Sequence, residues 1–231
     1  MRRLIAVPLM LLLVLTACTE QQEEQARQEG EQARSAIQQQ VDNLQREMDS
    51  ALDNASQELD ALERRMESAN VDSEMEQAVA DLRQKREEIA QRLQEVKSAN
   101  EDELATVRER LQEQQANLNR RLEQLKLQTI ASREEFVRTA EERLNEMEQE
   151  INMLEQQAEN ASGEMKSKYN EQASELRSRY DELVQTLNQA QEAGEEEFAN
   201  MKDTLAENLA GLRTDIEQKA DEMERESGSN Q

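Results

Sequence analysis

Side chains able to do chemistry are few in kind in this 231-residue sequence, and their spacing suits almost none of it. There is no His and a single Cys, Cys18, while 52 Asp and Glu outnumber 28 Lys and Arg. General acid–base, nucleophilic and metal catalysis need groups held in a dry, shaped pocket. Two Phe, two Tyr and no Trp offer little to wall one. Carboxylate runs such as Glu195-Glu196-Glu197 lack the loop geometry that oxygen-ligated calcium needs. Ten Met invite a copper or redox reading, yet Met48, Met66, Met75, Met147, Met165 and Met201 fall on an apolar stripe, where Met is a flexible core filler. The expectation is no enzyme, with no catalytic, metal or cofactor residues, no cofactor and no small-molecule substrate.

Cys18 is the residue whose surroundings do specify chemistry. Arg2 and Arg3 form a positive n-region, Leu4 to Val14 an apolar h-region, and Leu15-Thr16-Ala17 ends in small residues before the thiol. The chain then turns polar at Thr19-Glu20-Gln21-Gln22-Glu23-Glu24. A permanent span needs about 20 apolar residues, and the uncharged run Leu4–Ala17 is shorter, so residues 1–17 read as a secretory signal peptide. No second Cys exists for an internal disulfide. Removing Arg2 and Arg3 leaves 26 basic against 52 acidic residues, a net charge of -26, which excludes nucleic acid as a partner.

The elements behind Cys18 are predicted to be helices throughout. Pro occurs once, at position 8, and Gly five times, so little breaks regular structure, and mean hydropathy is -1.02. Residues 18–36 carry the repeat Glu24-Gln25-Ala26-Arg27 and Glu31-Gln32-Ala33-Arg34 around Gly30, which reads as a frayed polar stalk behind Cys18. From Ile37, apolar residues step by three and four through Val41, Leu44, Met48, Leu52, Ala55, Leu59, Leu62 and Met66, one stripe on a helix.

Joints are expected near 70–73 and 98–101, where Ser73/Glu76 and Asn100/Glu103 have capping-box spacing; Ser132/Glu135 repeats it. A second seam (Met75 to Val96) and a third (Leu104 to Leu125) complete a helical coiled-coil region over 37–130, with Arg86 and Gln114 at seam positions. A long stripe over 131–224 follows, in which Gly163 and Gly194 are kinks or breaks. Residues 225–231 read as a disordered tail. The fold class is all-α: elongated long helices forming a coiled coil or an antiparallel hairpin or bundle, with no β-sheet.

Leu15-Thr16-Ala17-Cys18 resembles the lipobox of bacterial lipoproteins, in which cleavage leaves the Cys as the new N-terminus. That resemblance implies a thioether-linked diacylglycerol on Cys18 and usually a third acyl chain on its amine, enough for stable anchoring. Thr19 in place of Asp implies export to the outer membrane, facing the periplasm. In plan the chain also resembles murein lipoprotein, although that family's C-terminal Lys has no counterpart in Ser229-Asn230-Gln231. Lys168–Leu176 and Ala193–Lys202 look like small bacterial coiled-coil stress-response proteins.

The expected function is therefore a lipid-anchored coiled-coil envelope protein with a structural, tethering or scaffolding role. Its partners are the membrane, through Cys18, and a second copy or another helical envelope protein. Alternatives are an envelope stress-response protein or an exchangeable lipid-binding protein of the apolipoprotein kind. The latter usually has a broader apolar face flanked by Lys, whereas this stripe is narrow and flanked by acids.

Overall fold

The computed structural model describes residues 13–69, 73–96 and 101–228. Among them are six helices and no strand: α1 (Leu13–Ala69), α2 (Ser73–Glu95), α3 (Glu101–Gln128), α4 (Arg133–Asn160), α5 (Gly163–Glu192) and α6 (Glu195–Gly228). Apolar steps of three and four put one stripe of each helix against its neighbours, and the stripes close into two cores. The first joins α1, α2 and α3 from Val41 to Leu125, with Ile37 packed at its margin. The second joins α4, α5 and α6 with Leu127 and Ile130 from the end of α3 and the following turn.

Cross-helix pairs give the directions. Arg83 of α2 meets Asp60 and Glu63 of α1 while Arg86 meets Asp53, so partners fall as numbers rise, and the pair is antiparallel. The same logic makes α4 and α5 antiparallel, with Arg133 against Ala190 and Arg177 against Glu155. It does likewise for α5 and α6, with Tyr169 against Glu226 and Arg179 against Asp215. Two three-helix bundles result, and α3 of the first lies along α6 of the second.

Local chemistry sets the breaks between helices. Ser132 caps α4: its hydroxyl accepts the Glu135 N–H at 3.0 Å, and Glu134 and Glu135 place negative charge at the helix start. Gly163 opens α5 at φ 62°, a left-handed conformation in which a Cβ is strained. Gly194 directly precedes α6, and its carbonyl accepts the Phe198 N–H. Residues 70–72 and 97–100, where two joints were expected, lie outside the described residues.

The structure departs from the sequence reading at the stalk and at the tail, and decides between kinks and breaks in the long stripe. Gly30 does not interrupt the stalk, because α1 runs unbroken from Leu13 to Ala69; a lone Gly costs a helix only about 1 kcal/mol. The stripe over 131–224, where Gly163 and Gly194 were expected to be kinks or breaks, is divided at both into three antiparallel helices. The tail assigned to 225–231 is helical as far as Gly228, since Met223 is buried and Glu226 is tied to Lys168 and Tyr169 across the bundle; residues 229–231 lie outside the described set.

Candidate functional site

Cys18 lies within α1, five residues after its start. Its side chain lies outside the described residues, as does the part of the expected signal segment before Leu13. Toward the first bundle, Glu24, Arg27, Gln28, Glu31, Gln32, Arg34, Ser35 and Ala36 are exposed, and among the described side chains Ile37 is the first to pack. Nineteen residues separate Cys18 from Ile37, which at 1.5 Å per residue is about 28 Å of helix. Among the described residues no helix is long and apolar enough to cross a membrane.

Three polar constellations lie farther along the chain. At the end of the molecule away from the stalk, Arg133 donates to the carbonyls of Ala190 (2.6 Å), Ala193 (2.8 Å) and Gln191, closing the C-terminus of α5. Its guanidinium lies 5.0 Å from the centre of the Phe198 ring, which meets Phe136 edge to face at 5.7 Å. Beside it Lys202 donates to Gln128 O (2.7 Å) and Ile130 O (2.6 Å), holding the last carbonyl of α3 and one from the turn after it. Burial pushes the Lys202 ammonium below the usual lysine range. These groups stitch helix ends together and present no free acid, base or nucleophile.

The second constellation runs between the bundles. Glu123 of α3 binds Lys126 at 3.0 Å and Arg143 of α4 at 2.8 Å, the latter as an ion pair without hydrogen-bond alignment. Lys126 reaches Glu58 of α1 at 3.4 Å, and Arg143 and Arg213 share Glu146. Burial raises the Glu150 carboxyl above the usual carboxylate range, with Arg213 opposing. Glu58, Glu123, Lys126, Arg143 and Arg213 line a cleft of about 330 Å³ between α1, α3, α4 and α6. A third constellation closes the stalk-side end of the second bundle, where the Tyr169 hydroxyl donates to Glu226 at 3.1 Å. Hydrogen bonds from Lys168 and then Tyr169 lower the Glu226 carboxyl, and burial raises the Tyr169 phenol.

Among the described residues no group of three His, Cys, Asp or Glu could hold a metal ion. Of the stripe methionines, Met48, Met66 and Met147 are buried and Met75, Met165 and Met201 pack half-buried against the cores. Arg86 reaches the Leu52 carbonyl at 3.5 Å from its seam position, and Gln114 Oε1 is buried without a protein partner. Sequence reasoning missed Arg133, Glu123, Arg143 and Lys202. On a helical wheel each is one of many charged residues, and only the reversal of the chain at 129–132 brings them against other helices.

Residues 101–191 match the family model of the vesicle transport v-SNARE protein N-terminus. The match spans α3, α4 and α5 and covers less than half of the chain; the family is one of vesicle transport, not of an enzyme. No curated protein and no solved structure matches the chain.

Proposed function

We propose that this protein is a lipid-anchored, all-helical tether or scaffold of a bacterial cell envelope. On this reading Cys18 carries the acyl chains and the exposed part of α1 holds the bundles off the membrane. The helical faces then engage a second copy or another helical envelope protein. The observation that carries the reading is the placement of the lipobox-like Leu15-Thr16-Ala17-Cys18 at the base of an exposed helical stalk, about 28 Å from the first packed residue. Two acyl chains supply enough buried methylene for lasting attachment, and a net charge of -26 after removal of Arg2 and Arg3 keeps the body from lying on an anionic leaflet. Metabolic labelling with an alkynyl palmitate tests the anchor. The intact chain should take up label and sediment with membranes, and Cys18→Ala should lose both; a labelled but soluble protein sinks the reading. In-cell crosslinking from positions within 37–224 should then recover one discrete helical partner or a dimer.

A second reading follows from the match over 101–191, in which the chain serves vesicle transport through that segment. It differs in a measurable way: Cys18→Ala would leave the location and crosslinking partners of the protein unchanged.

A further inference from the structure

The two bundles keep separate apolar cores. One ends at Leu125, the other takes in Leu127, and the chain passes from one to the other within the last turn of α3. The most extensive join between the bundles is the line along which α3 lies antiparallel to α6, with Gln128 against Asp203 near one end and Gln115 and Glu217 lining one cleft farther on. On α6 that line contains Ala206, Ala210 and Thr214, spaced four residues apart on one face and all buried. The Thr214 hydroxyl donates back to the Ala210 carbonyl at 3.0 Å, so its proton is spent within α6. Ala210 and Thr214 belong to neither core. Facing them across the cleft, α3 presents Gln115, Asn119 and Glu123, and the Glu123–Arg143 pair bridges to α4.

The flanks of this line are open. On one side lies the cleft of about 330 Å³ against α1 and α4, and on the other a groove of about 590 Å³ between α2, α3 and α6. The bundles thus meet chiefly along α3 and α6, with the Glu123–Arg143 pair beside them, and along the cleft side their parting uncovers mainly polar and small side chains. Both sides are also acidic: residues 73–128 hold 12 acidic against 10 basic residues, and 133–228 hold 26 against 11. Their net repulsion opposes closure.

The position of the pivot gives parting a direction. Leu127 and Ile130 are buried in the second core, and Lys202 holds the carbonyls of Gln128 and Ile130. The turn at 129–132 therefore travels with the second bundle, and bending falls near Lys126. This is the end of the molecule away from the stalk, because the end of α1 lies beside the end of α3, where Arg65 donates to the Lys126 carbonyl and Lys126 meets Glu58. We propose that the α3–α6 line is a polar latch: the second bundle swings outward about the last turn of α3 with both cores intact, extending the molecule away from the stalk.

Spin labels at Arg92→Cys on α2 and Asn160→Cys at the end of α4, in the full chain with Cys18→Ser, read the latch by pulsed electron resonance. Both positions are exposed, and both lie at the stalk-side end when the latch is closed. Glu123→Arg and Arg143→Glu should each lengthen the mean label distance by about 30 Å, given helical arms of some 20 to 30 residues on either side of the pivot, with helix content unchanged by circular dichroism. Combining the two reversals restores the ion pair and should bring the short distance back. Ala210→Leu, which wedges the line without touching charge, should also lengthen it. A short distance that persists in both single reversals and in Ala210→Leu overturns the proposal, and so does lengthening accompanied by loss of helix.

Discussion

The two bundles are built from different materials. The first, α1–α3, buries Val, Leu, Ile, Met and Ala and contains no aromatic residue, whereas Phe136, Phe198, Tyr169 and Tyr180 all lie in the second. Aliphatic seams gain from area and tolerate small shifts of register. Aromatic side chains have larger area and stricter geometry, and here each end of the second bundle is pinned by one. The Phe136–Phe198 pair with Arg133 and Lys202 fixes the end away from the stalk, and Tyr169 with Glu226 fixes the other. The lesson is that a helix face alone sets which side is inward, while a few large or polar groups at helix ends set which helices are neighbours.

Removing one of those pins is the strongest way to break the contrast. Phe136 is fully buried, and Phe136→Ala should cost about 3–5 kcal/mol through lost transfer energy plus the cavity left behind. Native-state amide exchange should show the loss of protection confined to α4–α6. If α1 and α2 lose protection equally, the bundles are one cooperative unit and the comparison fails. Leu122 in the first bundle is as deeply buried but is one of several equivalent leucines, and Leu122→Ala should cost about 2–5 kcal/mol, toward the lower end if the seam can close over the gap. Denaturant titration followed by circular dichroism would rank the two.

That first contrast also shows how much could be read in advance. The all-helical class, the stripes and the cap at Ser132 follow from local spacing, because a 3.6-residue repeat and a capping hydroxyl act within a few residues of themselves. The division of the long 131–224 stripe into three helices was only half legible. Gly163 and Gly194 mark its breaks, but a Gly in a helix is a modest penalty that Gly30 shows can be absorbed. The Glu123–Arg143 pair and the Lys202 clamp were not legible, since they join residues 20 and more than 70 positions apart whose local surroundings are ordinary. Cys18 is the reverse case: its assignment rests on sequence, through the lipobox-like pattern, and nothing in the bundles bears on it.

A smaller effect sharpens the difference between the two glycines. Gly163 holds φ 62° with open space around a would-be Cβ, so Gly163→Ala carries backbone strain but no clash and should cost about 1–2 kcal/mol. Gly194→Ala also meets open space and has no left-handed backbone to strain; it should be neutral or slightly stabilising, since Ala restricts the unfolded chain more than Gly. Thermal melts of the two single variants decide this, and equal losses at both positions would show that φ is not the cause.

The smallest predicted effect is the dependence on acid, and within the second bundle it has two signs. Glu226 is lowered by the hydrogen bonds from Lys168 and Tyr169, so its ionised form is favoured by folding. Its contribution is present above the unfolded carboxyl value near 4.5 and is lost as pH falls through the lower folded value, loosening the stalk-side end. Glu150 is raised by burial among Arg213, Glu217 and Glu146, so folding favours its protonated form. That contribution is complete below 4.5 and fades as pH rises through the higher folded value. Carboxyl carbon shifts followed by NMR should therefore give midpoints on opposite sides of 4.5 for these two side chains. Glu226→Gln should remove the acid-induced loosening of the α5–α6 end, seen as amide exchange near Tyr169, and Glu150→Gln should make stability less sensitive to pH just above 4.5. Coincident midpoints would mean that the carboxyls at the Tyr169 pin and beside Arg213 are equally open to water, and the pin would then contribute nothing that depends on acid.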